Sequence, residues 1–220
     1  MYIPNNFKEE DKTEIEKLIR EFGFATLVSV KDYLPWATHI PLELVTEENG
    51  NWFLHGHVAR ANPQWKNFES MNDVLAIFVG PHSYISPTWY DHRNVPTWNY
   101  KAIHVYGKVA LVEGEKLEVM LRNLMKRYED AHTEKPQGYD EIPANILEKD
   151  FQGVVGFEIK VERIEAASKL SQNRDAESHQ SIIDNLKKMD SYNAKRIAEE
   201  MEKTPKSPNG DLNTNSPNKS

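Results

Sequence analysis

Seven of the chain's 22 aromatic residues fall between Phe78 and Tyr106: Phe78, Tyr84, Trp89, Tyr90, Trp98, Tyr100 and Tyr106. Ser83, Ser86, Thr88, Thr97 and Asn99 are interleaved with them, and Pro81, Pro87 and Pro96 punctuate the run. A plain core strand has no use for that mixture. Aromatic faces with hydroxyl and amide groups beside them suit a flat, partly polar ligand that is stacked and hydrogen-bonded at once. The segment reads as one wall of a cofactor site.

A second stretch, HGHVARANPQW (55–65), places His57 and Arg60 at the end of a strand and Asn62 at the start of a short helix. A helix start with a flanking Arg supplies the N–H and cationic donors that a phosphate needs. A surface Arg that ties down a loop accounts for the spacing equally well. His55 and His57, two apart on a strand, share a face and could chelate a metal. No carboxylate stands at a fixed spacing beside them, so two half-buried, hydrogen-bonded histidines are the simpler reading, and no metal site is expected. A third stretch, KLSQNR (169–174), has little hydrophobic reason to exist. Lys169, Gln172, Asn173 and Arg174 offer cationic and amide donors to a phosphate or to the polar edge of a ring. The competing reading has Ser171, Gln172 and Asn173 capping a helix that begins near Asp175.

Other chemistries lack their residues. There is no G-x-x-x-x-G-K-[ST] and no G-x-G-x-x-G after a strand, so P-loop and Rossmann-type nucleotide binding are not expected. There is no G-x-S-x-G for a serine nucleophile. The 220 residues include no cysteine, which excludes disulfides, thiolate nucleophiles and thiolate-bound zinc or iron–sulfur centres. Net charge is −7, and the excess lies in residues 1–170, with 19 basic and 26 acidic side chains. That balance argues against broad binding to nucleic-acid phosphates, though not against a local basic strip. The polar, acidic start MYIPNNFKEEDK does not resemble a signal peptide, and no apolar run has the length of a membrane helix. A soluble, cytoplasmic protein is the expectation.

The elements that must position these residues follow from periodicity. Residues 8–22 have helical spacing, with Ile15, Leu18, Ile19 and Phe22 on one stripe. Strands are predicted over 24–30, 36–45, 52–58, 73–80, 102–113 and 153–166, and helices over 61–69, 115–132 and 142–151. Most strands are sequence neighbours joined by turns, so the fold class is mainly β, an antiparallel barrel with peripheral helices. Two short helical patterns follow, one with Ile182, Ile183, Leu186 and Met189 and the other with Ile197 and Met201. They are neutral overall and read as a packing or dimer-contact pair rather than a DNA-reading helix-turn-helix. The domain reading is a barrel over 1–168, a helical extension over 169–203 that packs on the barrel or a dimer partner, and a low-complexity, disordered tail over 204–220.

HVARANPQW (57–65), GPHSYISPTWY (80–90), VPTWNY (95–100), HVYGK (104–108) and KLSQNR (169–174), taken together and in this sequence, resemble the PaiB family, whose members are called FMN-binding negative transcriptional regulators. The resemblance runs from the N-terminal helix to about residue 202. It implies a split antiparallel β-barrel of the FMN-binding type, related to pyridoxamine-phosphate oxidases, with a C-terminal helical pair. It also implies a homodimer that holds FMN in a groove between two barrels. Carried onto the matching motifs, His57, Arg60 and Asn62 fall at the phosphate, with Ser86, Thr88 or Lys169 in support. Tyr84, Trp89 and Trp98 flank the isoalloxazine, and Asn99, Gln172 and Asn173 meet its polar edge.

Two functions of different class follow. The first is a flavin-bound homodimer acting as a negative transcriptional regulator. Direct contact with DNA as a partner would work against the repulsion of an acidic barrel. The second is an FMN-dependent oxidoreductase, for which no acid or base stands out. A third reading fills the site with haem, with His57 or His104 as an axial ligand.

Overall fold

The computed structural model describes residues 1–68 and 72–204. The chain divides into two compact units. The barrel unit comprises Lys12–Phe78 and Ile103–Ile164, and the terminal unit comprises Met1–Asp11, Val79–Ala102 and, of the described residues beyond these, 165–204.

In the barrel unit, helix α1 (Lys12–Glu21) buries the predicted stripe through Ile15, Leu18 and Ile19. Strand β2 (Phe24–Lys31) alternates, with Ala25, Leu27 and Ser29 turned inward. A two-residue turn at Asp32 and Tyr33, both with positive φ, reverses the chain into β3 (Leu34–Pro41). Left-handed residues at both turn positions match the twist of the flanking strands, and the register is unbroken from Phe24↔Pro41 to Lys31↔Leu34. The strand predicted over 36–45 is divided. Leu42, 1% exposed, turns its N–H to the carbonyl of Gly23, and β4 (Glu43–Thr46) starts after it.

Strand β5 (Trp52–Ala59) pairs with β4 on one side and with β8 (Val154–Lys169) on the other. Its even-numbered residues Leu54, Gly56 and Val58 are buried, which puts His55 and His57 together on the opposite face. The helix predicted over 61–69 is a single 3-10 turn, Pro63–Asn67. Strands β6 (Asp73–Ile85) and β7 (Thr97–Val112) are longer than predicted. Helices α2 (Gly114–His132) and α3 (Ala144–Gly153) stand where periodicity puts them. A Cβ on Gly156 would lie 2.5 Å from Leu117 Cδ1, so this glycine is what allows α2 to sit directly on β8.

Hydrogen bonding runs in the order β3-β2-β6-β7-β8-β5-β4, with β1 (Lys8–Glu9) beside β8, giving eight strands among the described residues in a sheet that is not closed. The registered pairs are all antiparallel. In the terminal unit, α4 (Ala176–Lys188) and α5 (Tyr192–Lys203) bury Ile182, Leu186, Ile197 and Met201 in one cluster with Ile85, Tyr90 and Leu170. Within the terminal unit the helical pair thus buries its apolar stripes in one cluster. Asp175 caps α4 by accepting from the Ser178 N–H at 2.8 Å, as its position before the helix implies. The tail from residue 205 lies outside the described residues.

Candidate cofactor site

The terminal unit gathers part of the aromatic wall into an exposed group. On β6, His82 and Tyr84 project from one face while Ser83 and Ile85 are buried on the other. Trp98 of β7 meets them. Its ring centroid lies 5.9 Å from that of Tyr84, edge to face at 73°, and 6.3 Å from that of His82. Tyr84 is 43% exposed and Trp98 53%. Rings this large are exposed at a cost unless something flat covers them.

The rest of the wall divides. Asn99 follows Trp98 and so points to the opposite face, where it is fully buried. Its Oδ1 accepts from Ser171 Oγ at 3.0 Å and its Nδ2 approaches Met201 Sδ at 3.4 Å. In these contacts the Asn99 amide ties β7 to α5. Trp89 is half-buried against the core of the helical pair. Ser86 Oγ accepts from the Thr88 N–H at 3.2 Å and lies 2.8 Å from Thr88 Oγ1, which closes a 3-10 turn around Pro87.

KLSQNR is a self-satisfied turn. Ser171 is left-handed, at φ 58°. Gln172 accepts from the Leu170 N–H at 2.7 Å and donates to the Ser168 carbonyl at 2.6 Å, so its amide holds the turn. Lys169 donates to Thr97 Oγ1 at 2.6 Å, and burial, with Arg174 nearby, lowers its pKa. Asn173 is half-buried beside them. An exposed group of Asp91, His92 and Asp175 also occurs here, but Asp91 already accepts from Ser178 and Asp175 caps α4.

The phosphate candidates lie in the barrel unit. Arg60 closes the C-terminal end of α3: its Nε donates to the Gln152 carbonyl at 2.7 Å and Nη2 to that of Val154 at 2.9 Å, while its backbone N–H reaches Gly153 at 2.8 Å. A cation at that end also complements the helix dipole. Arg60 is exposed as a residue, and Nη1 has no protein partner among the described residues. The helix start offers little to an anion. Asn62 itself accepts from the Gln64 N–H at 3.0 Å, Pro63 has none, and Asn62 Nδ2 donates to Thr38. His57 lies on the α2-facing side of β5, and burial lowers its pKa, leaving the imidazole neutral at pH 7. His104 of β7 is likewise lowered by burial.

Sequence reasoning missed two features that these contacts expose. One is the exposed hairpin tip between β2 and β3, where Tyr33 is 99% and Leu34 71% exposed, with Val30 and Trp36 beside them. The other is a cavity behind His57. Alternation could have flagged the first; the second needed α3 in place.

A family model described as "Putative FMN-binding domain" matches residues 1–163. The protease synthase and sporulation protein PAI 2 of Bacillus subtilis is 43% identical over 202 residues, covering 92% of this chain and 97% of that protein. An uncharacterised protein of Emericella nidulans is 26% identical over 238 residues, covering 90% of this chain and 95% of its own. Among solved structures, the flavocytochrome Anf3 of Azotobacter vinelandii superposes with a TM-score of 0.56 at 13% identity, over 76% of this chain and 72% of that one. An FAD- and haem-binding protein of Mycobacterium smegmatis gives 0.54 at 11%, over 79% and 78%. At such identities the likeness is one of fold: a split barrel with peripheral helices.

Proposed function

This chain belongs to the PaiB family of FMN-binding domain proteins, and we propose that it works as an FMN-bound homodimer that lowers the transcription of target genes. The observation that carries the proposal is the exposed group of His82, Tyr84 and Trp98. Within the terminal unit these rings fit the flat isoalloxazine, with Ser86, Thr88, Lys169 and Asn173 of the same unit as polar candidates. Within the barrel unit, Arg60 Nη1 is the donor suited to a phosphate, because Nε and Nη2 stay on α3. When bound, FMN supplies a one- or two-electron redox centre. The chain's own residues hold and orient the flavin.

The apolar hairpin tip supports the dimer: Tyr33, Leu34 and Trp36 exposed side by side form a surface that a second copy would cover. The relative from Bacillus subtilis carries a name that mentions protease synthase and sporulation. With a net charge of −7, contact with an operator has to come through a local basic strip or a partner protein.

The visible spectrum of the purified protein, with the released chromophore identified, tests the flavin; light scattering tests the dimer; a gel shift at moderate salt with and without FMN tests DNA. A colourless protein that takes up no riboflavin phosphate overturns the proposal. A monomer in solution removes its dimeric half, and no shift at any concentration moves repression to an indirect route.

A further inference from the structure

The outer face of β5 is covered by α2, but the cover is incomplete. Beyond His57 a cavity of about 330 Å³ opens between α2, the segment around Tyr139, and α3. Its walls are mostly apolar, among them Met125 of α2 and Leu147 and Phe151 of α3. Three polar groups face it: His57, Tyr139 and Asp150. All belong to the barrel unit.

The space is large enough for a small organic molecule as well as water. An apolar cavity of about 150 Å³ holds one benzene, and ligand sites begin near 300 Å³, so this one suits roughly ten to fifteen non-hydrogen atoms. The polar groups narrow the chemistry. The His57 imidazole has no hydrogen-bond partner among the described residues, and burial keeps it neutral, so one nitrogen is an open acceptor. The Tyr139 hydroxyl has none either, and burial raises its pKa, so it stays a donor. Its ring is fixed by Arg122, whose guanidinium lies 4.4 Å from the ring centroid and is itself paired with Asp140 at 2.7 Å. Asp150 is the one formal charge on the lining, and no Lys or Arg lines the cavity among the described residues. An anion would meet a carboxylate on the lining, and the bordering Arg60 guanidinium is already committed through Nε and Nη2 to the Gln152 and Val154 carbonyls.

We propose that this cavity binds a small aromatic amine, with its ring between Met125, Leu147 and Phe151 and its nitrogen reaching Asp150 and His57. None of the rings assigned to flavin lines this cavity, but Arg60, the proposed phosphate donor, holds the α3 end that borders it, so flavin content is read beside tryptamine binding in the test. An occupant would bridge α2 and α3 and hold α3 more firmly on the barrel, stabilising the folded state by mass action.

Tryptamine is a suitable probe, and indole-3-propionate is its anionic counterpart of like size. Calorimetry and thermal melts on the full chain are expected to show saturable binding of tryptamine at one per chain and at least tenfold weaker binding of indole-3-propionate. Asp150→Asn, at an exposed carboxylate, is expected to weaken tryptamine about tenfold, as loss of a charge-assisted contact does. Leu147→Trp fills the space and should abolish binding while leaving flavin content unchanged. Should Leu147→Trp unfold the protein, hydrogen exchange on the parent decides instead, with α3 amides slowed by tryptamine. No saturable binding, equal affinity for the two indoles, or binding that survives Leu147→Trp overturns the proposal.

Discussion

Lys101 Nζ lies 2.8 Å from Glu200 Oε2, joining β7 to α5 through a pair whose side chains are 7% and 9% exposed. Lys203 adds a second contact to the same carboxylate at 3.0 Å. Burying a charge is costly unless a partner and hydrogen bonds accompany it, and here both do. The pair fixes how the last helix docks within the terminal unit. Removing Lys101 alone, as Lys101→Ala, leaves Glu200 buried with one exposed partner, and is expected to cost on the order of 3 kcal/mol in urea unfolding.

The same carboxylate sets an acid limit. Burial alone would raise its pKa, but hydrogen bonds from Lys101 and Lys203 outweigh that and bring it from 4.5 down to about 2. A folded-state value below the unfolded one stabilises fully above about pH 4.5, and that contribution fades as pH falls towards 2. Its size is on the order of 3 kcal/mol. Stability measured from pH 6 to pH 2.5 is expected to fall less steeply for Glu200→Gln than for the parent. Equal slopes would locate the acid sensitivity elsewhere.

Asn99 offers a clean separation of structure from cofactor binding. Asn99→Ala leaves the Ser171 hydroxyl without its buried acceptor, which costs about 1–3 kcal/mol. Flavin affinity per folded molecule is expected to stay within twofold of the parent. A tenfold loss of flavin at unchanged melting temperature would restore Asn99 to the ligand's polar edge.

Tyr84 and Trp98 should behave in the opposite way. Both are exposed, so Trp98→Ala is expected to change stability by less than about 0.5 kcal/mol. A lost ring-on-ring contact, worth about 0.5–1.5 kcal/mol beyond area, lowers affinity up to roughly tenfold, read as quenching of riboflavin phosphate fluorescence on titration. Undiminished binding in the Tyr84→Ala, Trp98→Ala double variant would remove the platform.

Arg60 has two roles that can be told apart. Arg60→Ala frees the carbonyls of Gln152 and Val154, so hydrogen exchange at the end of α3 is expected to quicken whatever the ligand. If Nη1 also meets the flavin phosphate, affinity drops by roughly ten- to a hundredfold, in line with a charge-assisted bond of about 1.5–3 kcal/mol. Faster exchange with unaltered flavin binding assigns Arg60 to α3 alone.

Much of the architecture was legible in residue order because it rests on local patterns. Period-two burial marked β2, β5 and β7, and the stripe of Ile15, Leu18 and Ile19 marked α1. A helix start near Asp175 was legible, but the cap is Asp175 itself and not Ser171, Gln172 or Asn173. The break at Leu42 was not visible, because it depends on the Gly23 carbonyl reached only after the chain has folded back.

Residue order was enough for the succession of elements, the aromatic segment and, through five short motifs, the family. Tertiary structure alone decided which of two adjacent residues, Trp98 or Asn99, faces outward, since strand geometry sends them to opposite sides and α5, about a hundred positions later, covers one. It likewise turned Gln172 and Arg60 into holders of a turn and a helix end, and it opened the cavity beside His57. A polar side chain declares what it can bond to; only packing between distant segments chooses the partner, because burial penalises any donor or acceptor left without one.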